Sequence, residues 1–143
     1  MTDHDYMQYA IRQAQRGKTP FGAVLVQDGQ VVAEAYNTVR QDHDPSAHGE
    51  INVLRQAGQQ LGTTNLSGTV LYTTGEPCPM CTAALVYARV ARVVYGASIP
   101  QIAEFMDQIP LRSQEIIHTA GPSIQLTEGI AVEACLELLR EYA

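Results

Sequence analysis

The chain has 143 residues, 45% of them hydrophobic and 17% charged, with a formal net charge of −6 at pH 7. This length suits one compact domain, expected to span 1–143, and the acidic balance gives no general attraction for phosphate backbones, so nucleic acid is a disfavoured partner. The start of the chain lacks an apolar leader-like run and no stretch of about eighteen apolar residues occurs, which argues against a membrane partner and for a cytoplasmic protein.

Met7, Ala10, Ile11 and Ala14 recur at helical spacing, so the first element is an amphipathic helix with Gly17 as its stop. "FGAVLVQDGQVVAEAYN" then changes period. Two β-branched-rich runs flank Asp28-Gly29, a strong hairpin signal. The loop "TVRQDHDP" leads to Ser46, read as the cap of a helix that carries Ile51, Leu54 and Ala57 on one side. "TVLYTTG" is a short apolar strand ending at Pro77 and Cys78. Pro79 suits the first turn of the next helix, which Ala83, Ala84, Val86 and Tyr87 continue. "ARVVYGAS" is the following strand, and this alternation implies parallel crossovers in an α/β sheet. Between Ile99 and Gly121 the pattern is weakest: "IAEFM" suggests a helix, and Pro110 breaks any regular element beyond it. A last helix from about Ile130 carries Cys135, Leu138, Leu139 and Tyr142 at helical spacing.

The three cysteines are an odd number, poorly suited to a disulfide framework, and two of them form Cys78-x-x-Cys81 at a helix start. Residues three apart on a helix share a face, and the helix N-terminus favours thiolates. His48 opens another helix. If the two helices lie side by side, their N-termini meet at the carboxyl edge of the sheet, where open α/β sheets bind ligands. One imidazole and two thiolates then make a three-ligand tetrahedral zinc site with a vacant fourth position. Such a zinc lowers the pKa of bound water to about 7, and Glu50, close to the metal without binding it, is placed as the proton carrier.

Three other readings compete. CxxC after a strand also occurs in thiol-redox proteins, but that reading has no use for His48 and Glu50. A structural zinc site needs a fourth protein ligand, which His43 would supply. Glu50 alone would be a helix-start acid favoured by the dipole. His4, His43 and His118 are most simply solvated, and Cys135 is a small core residue.

"HGE" followed by "PCPMC" resembles the zinc-dependent nucleobase and nucleoside deaminases, the cytidine/deoxycytidylate deaminase-like superfamily, whose general signature is H-x-E with P-C-x-x-C. "TPFGAVLV", "YNTV", "DPSAHGEI", "LYTTGEPCPMC" and "RVVYGAS" extend the likeness over nearly the whole chain. The resemblance implies an α/β/α three-layer sandwich on a mixed five-stranded sheet whose first two strands form the hairpin. It implies Zn2+ as cofactor, His48, Cys78 and Cys81 as its ligands and Glu50 as the catalytic proton shuttle. For substrate it implies Asn37 and Phe21 as pocket residues, the backbone N–H of Gly49 and of Cys78 near the reacting carbon, and the Glu76 carbonyl as receiver of the departing amine. A homodimer is implied by analogy, and Glu141 and Tyr142 either close the pocket or simply end an acidic helix.

"TPFGAV" and "EPCPMC" with "YN" look closest to guanine deaminases, while "HGEI" and "MCTAA" resemble fungal-type cytosine deaminases. "DPSAHGEI" and "LTEGIAVEACLELL" are similar to tRNA adenosine deaminases. Charge favours a small nucleobase or nucleoside, because the last helix sets one arginine against Glu133, Glu137 and Glu141. A tRNA wobble adenosine deaminase is the alternative, since Arg12, Arg16, Lys18 and Arg40 can gather on one side of a dimer. A non-catalytic zinc or thiol-redox module is the remote one. Gly49 would let a substrate ring approach the backbone closely.

Overall fold

The computed structural model describes residues 1–121 and 123–143. Helix α1 (Asp3–Gly17) opens on a capping box, in which Thr2 accepts from the Asp5 N–H and the Asp5 carboxylate accepts from the Thr2 N–H. Strands β1 (Gly22–Gln27) and β2 (Gln30–Tyr36) form the expected hairpin. Asp28 and Gly29 both take positive φ, 49° and 74°, which gives the turn the twist that matches its strands.

A short helix α2 (Val39–Asp42) occupies the loop, and α3 (Gly49–Leu61) comes next. Ser46 does not cap α3. Its N–H and hydroxyl are both committed to Asp44 Oδ1, at 2.8 and 2.7 Å, so the chain turns once more and His48 becomes the N-cap residue. β3 (Thr69–Gly75), α4 (Pro79–Ala88) and β4 (Arg92–Ala97) form the crossover read from the sequence.

The weakly patterned segment holds two helices, α5 (Ile99–Ile102) and α6 (Ser113–Ala120). "IAEFM" is therefore helical only at its first residue. Phe105 and Met106 both donate to the Ile102 carbonyl in a closing turn, and α6 begins only after Pro110. A fifth strand, β5 (Gln125–Thr127), is too short to show a period, and α7 (Val132–Tyr142) starts two residues later than expected.

The sheet order is β2-β1-β3-β4-β5, antiparallel across β2-β1-β3 and parallel across β3-β4-β5. Alternating side chains split the core. Val24, Tyr72 and Val94 face α1 and α7, whereas Leu25, Leu71 and Val93 face α3 and α4. This is the three-layer sandwich, a mixed sheet between two helical layers. Its consequence for the site is positional: α3 and α4 pack on one face and point their N-termini at the same sheet edge. No described helix is long and apolar enough to cross a membrane.

Candidate metal centre

His48 and Cys78 are each the N-cap residue of their helix, in extended backbone, and neither uses its side chain to cap. Both side chains are thereby released toward each other. Pro79 starts α4 and Cys81 falls in its first turn, buried, on the face that meets α3. His48 Nδ1 lies 3.6 Å from Cys78 Sγ and 3.5 Å from Cys81 Sγ, and the three ligand atoms fall within 4.8 Å of one another. Zinc bonds of about 2.1 Å to nitrogen and 2.3 Å to sulfur, at a tetrahedral angle, set an N–S edge of about 3.6 Å. The donor set and its spacing therefore fit one zinc ion, and among the described residues the cluster comprises these three ligand groups.

Burial, with the Cys78 charge second, pushes the Glu50 carboxyl up to about 7. Hydrogen bonding from Cys81, aided by His48, pulls the Cys78 thiol down to about 4. Cys81 is pushed up as the partner that gives Cys78 its hydrogen bond, and the bond to Cys78 raises the pKa of His48. Cys78 is thus the thiol of the pair that ionises more readily, beside a carboxyl raised toward neutrality by burial.

With Cys81 buried behind them, His48, Glu50 and Cys78 line a cavity of about 710 Å³, within the usual range for small-molecule sites. Phe21, Asn37, Glu50 and Glu76 all line it. Asn37 Oδ1 accepts from the Val39 N–H at 3.0 Å, which leaves its amide Nδ2 as the free donor. Asn52 supports it by donating to Tyr36 O and Thr38 Oγ1, both at 2.9 Å, tying the end of β2 to α3.

Gly49 is buried between the lining residues His48 and Glu50, and an added Cβ would rest 3.6 Å from Phe21 O and from Tyr36 C. Those are ordinary contacts with the strand ends, so the glycine is not required to make space there. Tyr142 lines the cavity, while Glu141 is exposed. His4, His43 and His118 are exposed as expected, and Cys135 is buried in the core.

Lys18 and Arg40, which the sequence offered only as part of a basic group on one side of a dimer, line the cavity, and so do Ile102 and Met106, which the sequence did not mark. Sequence reasoning also missed Arg112 and Ser113, which bind the Glu76 carboxylate. No local pattern marks them, because 36 and 37 residues separate these partners in the chain. Burial disfavours the charged form of Glu76, but donors from Arg112, Ile99 and Ser113 outweigh it and hold the carboxyl below the usual glutamate range.

Residues 1–97 match the family described as the cytidine and deoxycytidylate deaminase zinc-binding region. The chain belongs to that family. A tRNA-specific adenosine deaminase of Agrobacterium fabrum is 39% identical over 141 residues, covering 96% of this chain and 91% of the relative. A guanine deaminase of Bacillus subtilis is 46% identical over 85 residues, covering 59% of this chain and 54% of that one. A solved guanine deaminase from Nitrosomonas europaea superposes with a TM-score of 0.88 at 25% identity, over 97% of this chain and 83% of the other. Membership makes this a zinc-binding deaminase, and His48, Cys78 and Cys81 are positioned together to bind a metal.

Proposed function

We propose that this deaminase acts hydrolytically on an aminopurine, with His48, Cys78 and Cys81 holding zinc, Glu50 moving the protons, and adenosine in tRNA as the substrate its relatives back best. The observation that carries the chemistry is the meeting of two thiols and one imidazole at two helix N-termini, with a buried carboxyl beside them. Bound zinc supplies a lowered water pKa, about 7 in such sites. Glu50 takes one proton of the attacking water and passes it to the ring nitrogen, where it stays, and then carries the second proton, from the newly formed hydroxyl, to the departing amine. A C–O bond forms, the C–N bond breaks and ammonia leaves. The N–H groups of Gly49 and Cys78 and the Glu76 carbonyl border the reacting atoms, Asn37 Nδ2 donates to an acceptor on the base, and Phe21 walls the ring.

The tRNA reading is supported by the Agrobacterium relative, matched along nearly its whole length. It replaces the preference for a free base that net charge suggested. Net charge is a property of the whole surface, whereas an anionic substrate feels the local field: Lys18 and Arg40 line the cavity together with Asp107, and Glu133, Glu137 and Glu141 do not line it. A second reading, a free guanine-type base, is favoured by Tyr142 on the cavity wall and by the guanine deaminase structures.

Assays for inosine in tRNA and for ammonia from guanine, cytosine and adenine separate the two. The expected result is inosine formation that weakens with salt and in Lys18→Glu or Arg40→Glu, with zinc content unchanged. Guanine turnover without inosine in tRNA makes the free base the substrate, and ammonia from neither sinks both readings. We further propose a cytoplasmic homodimer. Its support is α4, "PMCTAALVYA", which is apolar on every side yet leaves Tyr87 85% exposed and Met80 38% exposed. Sedimentation of Tyr87→Arg as a monomer, against a wild-type dimer, is the expected outcome, and a monomeric wild type would remove the proposal.

A further inference from the structure

Glu76 stands two residues ahead of Cys78, and only 1% of its side chain is exposed. Its carboxylate accepts from four donors supplied by three residues outside β3. The Ile99 N–H at the start of α5 reaches Oε1 at 2.8 Å, and Arg112 Nε reaches both oxygens, at 2.9 and 3.1 Å. The Ser113 N–H and hydroxyl reach Oε2 at 2.9 and 2.7 Å. Arg112 is held in turn, since its Nη2 donates to the Tyr95 hydroxyl at 3.3 Å and that hydroxyl donates to Glu128 Oε2 at 3.1 Å.

The backbone of the same turn is pinned at both ends. The Glu76 N–H donates to Ala97 O at 2.7 Å, continuing the β3-β4 pairing, and Thr82 donates to Cys78 O at 2.8 Å and, through its hydroxyl, to Pro77 O at 3.1 Å. The turn from 76 to 78 carries one metal-site sulfur and a carbonyl at the cavity. Any rotation in it moves Cys78 Sγ relative to His48.

We propose that Arg112 is a positioning residue for the metal centre: together with Ser113 it clamps the Glu76 carboxylate and so holds the Glu76–Pro77–Cys78 turn in register with His48 and Glu50. The proposal rests on the reading that His48, Cys78 and Cys81 hold zinc, and it needs no assumption about substrate. Removing the guanidinium leaves a buried carboxylate without its cation, and the turn must open toward water to satisfy it. Groups that orient metal ligands from behind typically change metal affinity or activity 10–100-fold when removed. A staple that served the fold alone, joining β3 to α5 and α6, would lower the melting temperature and leave the metal centre as it was.

The test uses the intact zinc protein, its Co2+-substituted form, and the variants Arg112→Met, Arg112→Lys and Ser113→Ala. We expect folded Arg112→Met to surrender zinc to a chromophoric chelator roughly 10–100-fold faster than wild type, with shifted thiolate-to-cobalt bands. Arg112→Lys, which restores the charge but not the forked geometry, should recover part of that loss. On a substrate that turns over, kcat should fall while KM changes by less than about threefold. Wild-type chelation rate and cobalt bands in Arg112→Met, whatever its melting temperature, would overturn the proposal. If Arg112→Met does not fold, Ser113→Ala decides: it keeps its N–H bond to Glu76 and loses the hydroxyl, and unchanged zinc release and cobalt bands overturn the proposal there too. A wild-type chain that binds neither zinc nor Co2+ refutes the metal reading instead, a separate outcome.

Discussion

Glu50→Gln should make the enzyme worse and the metal-free fold more stable, because the proposed proton carrier is a carboxyl buried at 6% exposure. Its ordinary value of 4.5 rises to about 7 in the folded protein, with desolvation the leading cause. The folded state therefore holds this proton more tightly than the unfolded chain does. Between those values it binds more protons, so stability falls as pH rises through the window and stays low above it. Carrying that carboxyl from 4.5 to about 7 costs about 3 kcal/mol above about pH 7 and less than about 1 kcal/mol near pH 5. Glutamine keeps the shape and removes the charge. With zinc chelated, Glu50→Gln should melt roughly 6–12 °C above wild type near pH 8, and close to it near pH 5. With zinc restored, loss of the proton carrier should lower kcat by about 10²–10⁴-fold at unchanged zinc content. Scanning calorimetry at the two pH values, with metal analysis and ammonia release, reads all three. A variant that gains nothing near pH 8 would show that Glu50 is solvated in the folded protein, and the placement of a poised carboxyl in the site would be wrong.

Cys78→Ser and His48→Ala should each lose most bound zinc, read by elemental analysis, and all deamination; a variant that keeps both would remove that residue from the ligand set. Gly49→Ala should retain zinc and turn over within about twofold of wild type, because its Cβ meets only ordinary contacts; a marked change in base preference would restore the glycine to a specificity role. Leu85→Ala, at a fully buried position on the inner side of α4, should cost about 2–5 kcal/mol in denaturant unfolding, and a cost below about 1 kcal/mol would mean the layer repacks freely. Tyr142→Ala should raise KM for a free base if that is the substrate, and leave tRNA turnover near wild type if it is not.

Much of the site was legible in the chain because its signals are local. Pro-Cys-x-x-Cys places two thiols on the first turn of α4, His-x-Glu puts an imidazole and a carboxylate at the start of α3, and Asp28-Gly29 writes a hairpin turn in two residues. Strand alternation and helical stripes then fix which faces are buried, and these dictate the layered architecture. Tertiary structure alone decided what depends on distant partners. Ser46 looks like a cap until Asp44 claims it, and "IAEFM" has helix-forming composition but turns after α5. The Glu76 carboxylate finds Arg112 and Ser113 across 36 and 37 residues, a pairing no periodicity announces. Whole-chain charge likewise says nothing of which charges meet at the cavity, where folding sets Lys18, Arg40 and Asp107 in the lining and leaves Glu133, Glu137 and Glu141 off it. Local torsional and hydrophobic preferences act over a few residues and are readable in order along the chain; ion pairs and electrostatic fields act through space, and only the folded backbone says which charges are neighbours.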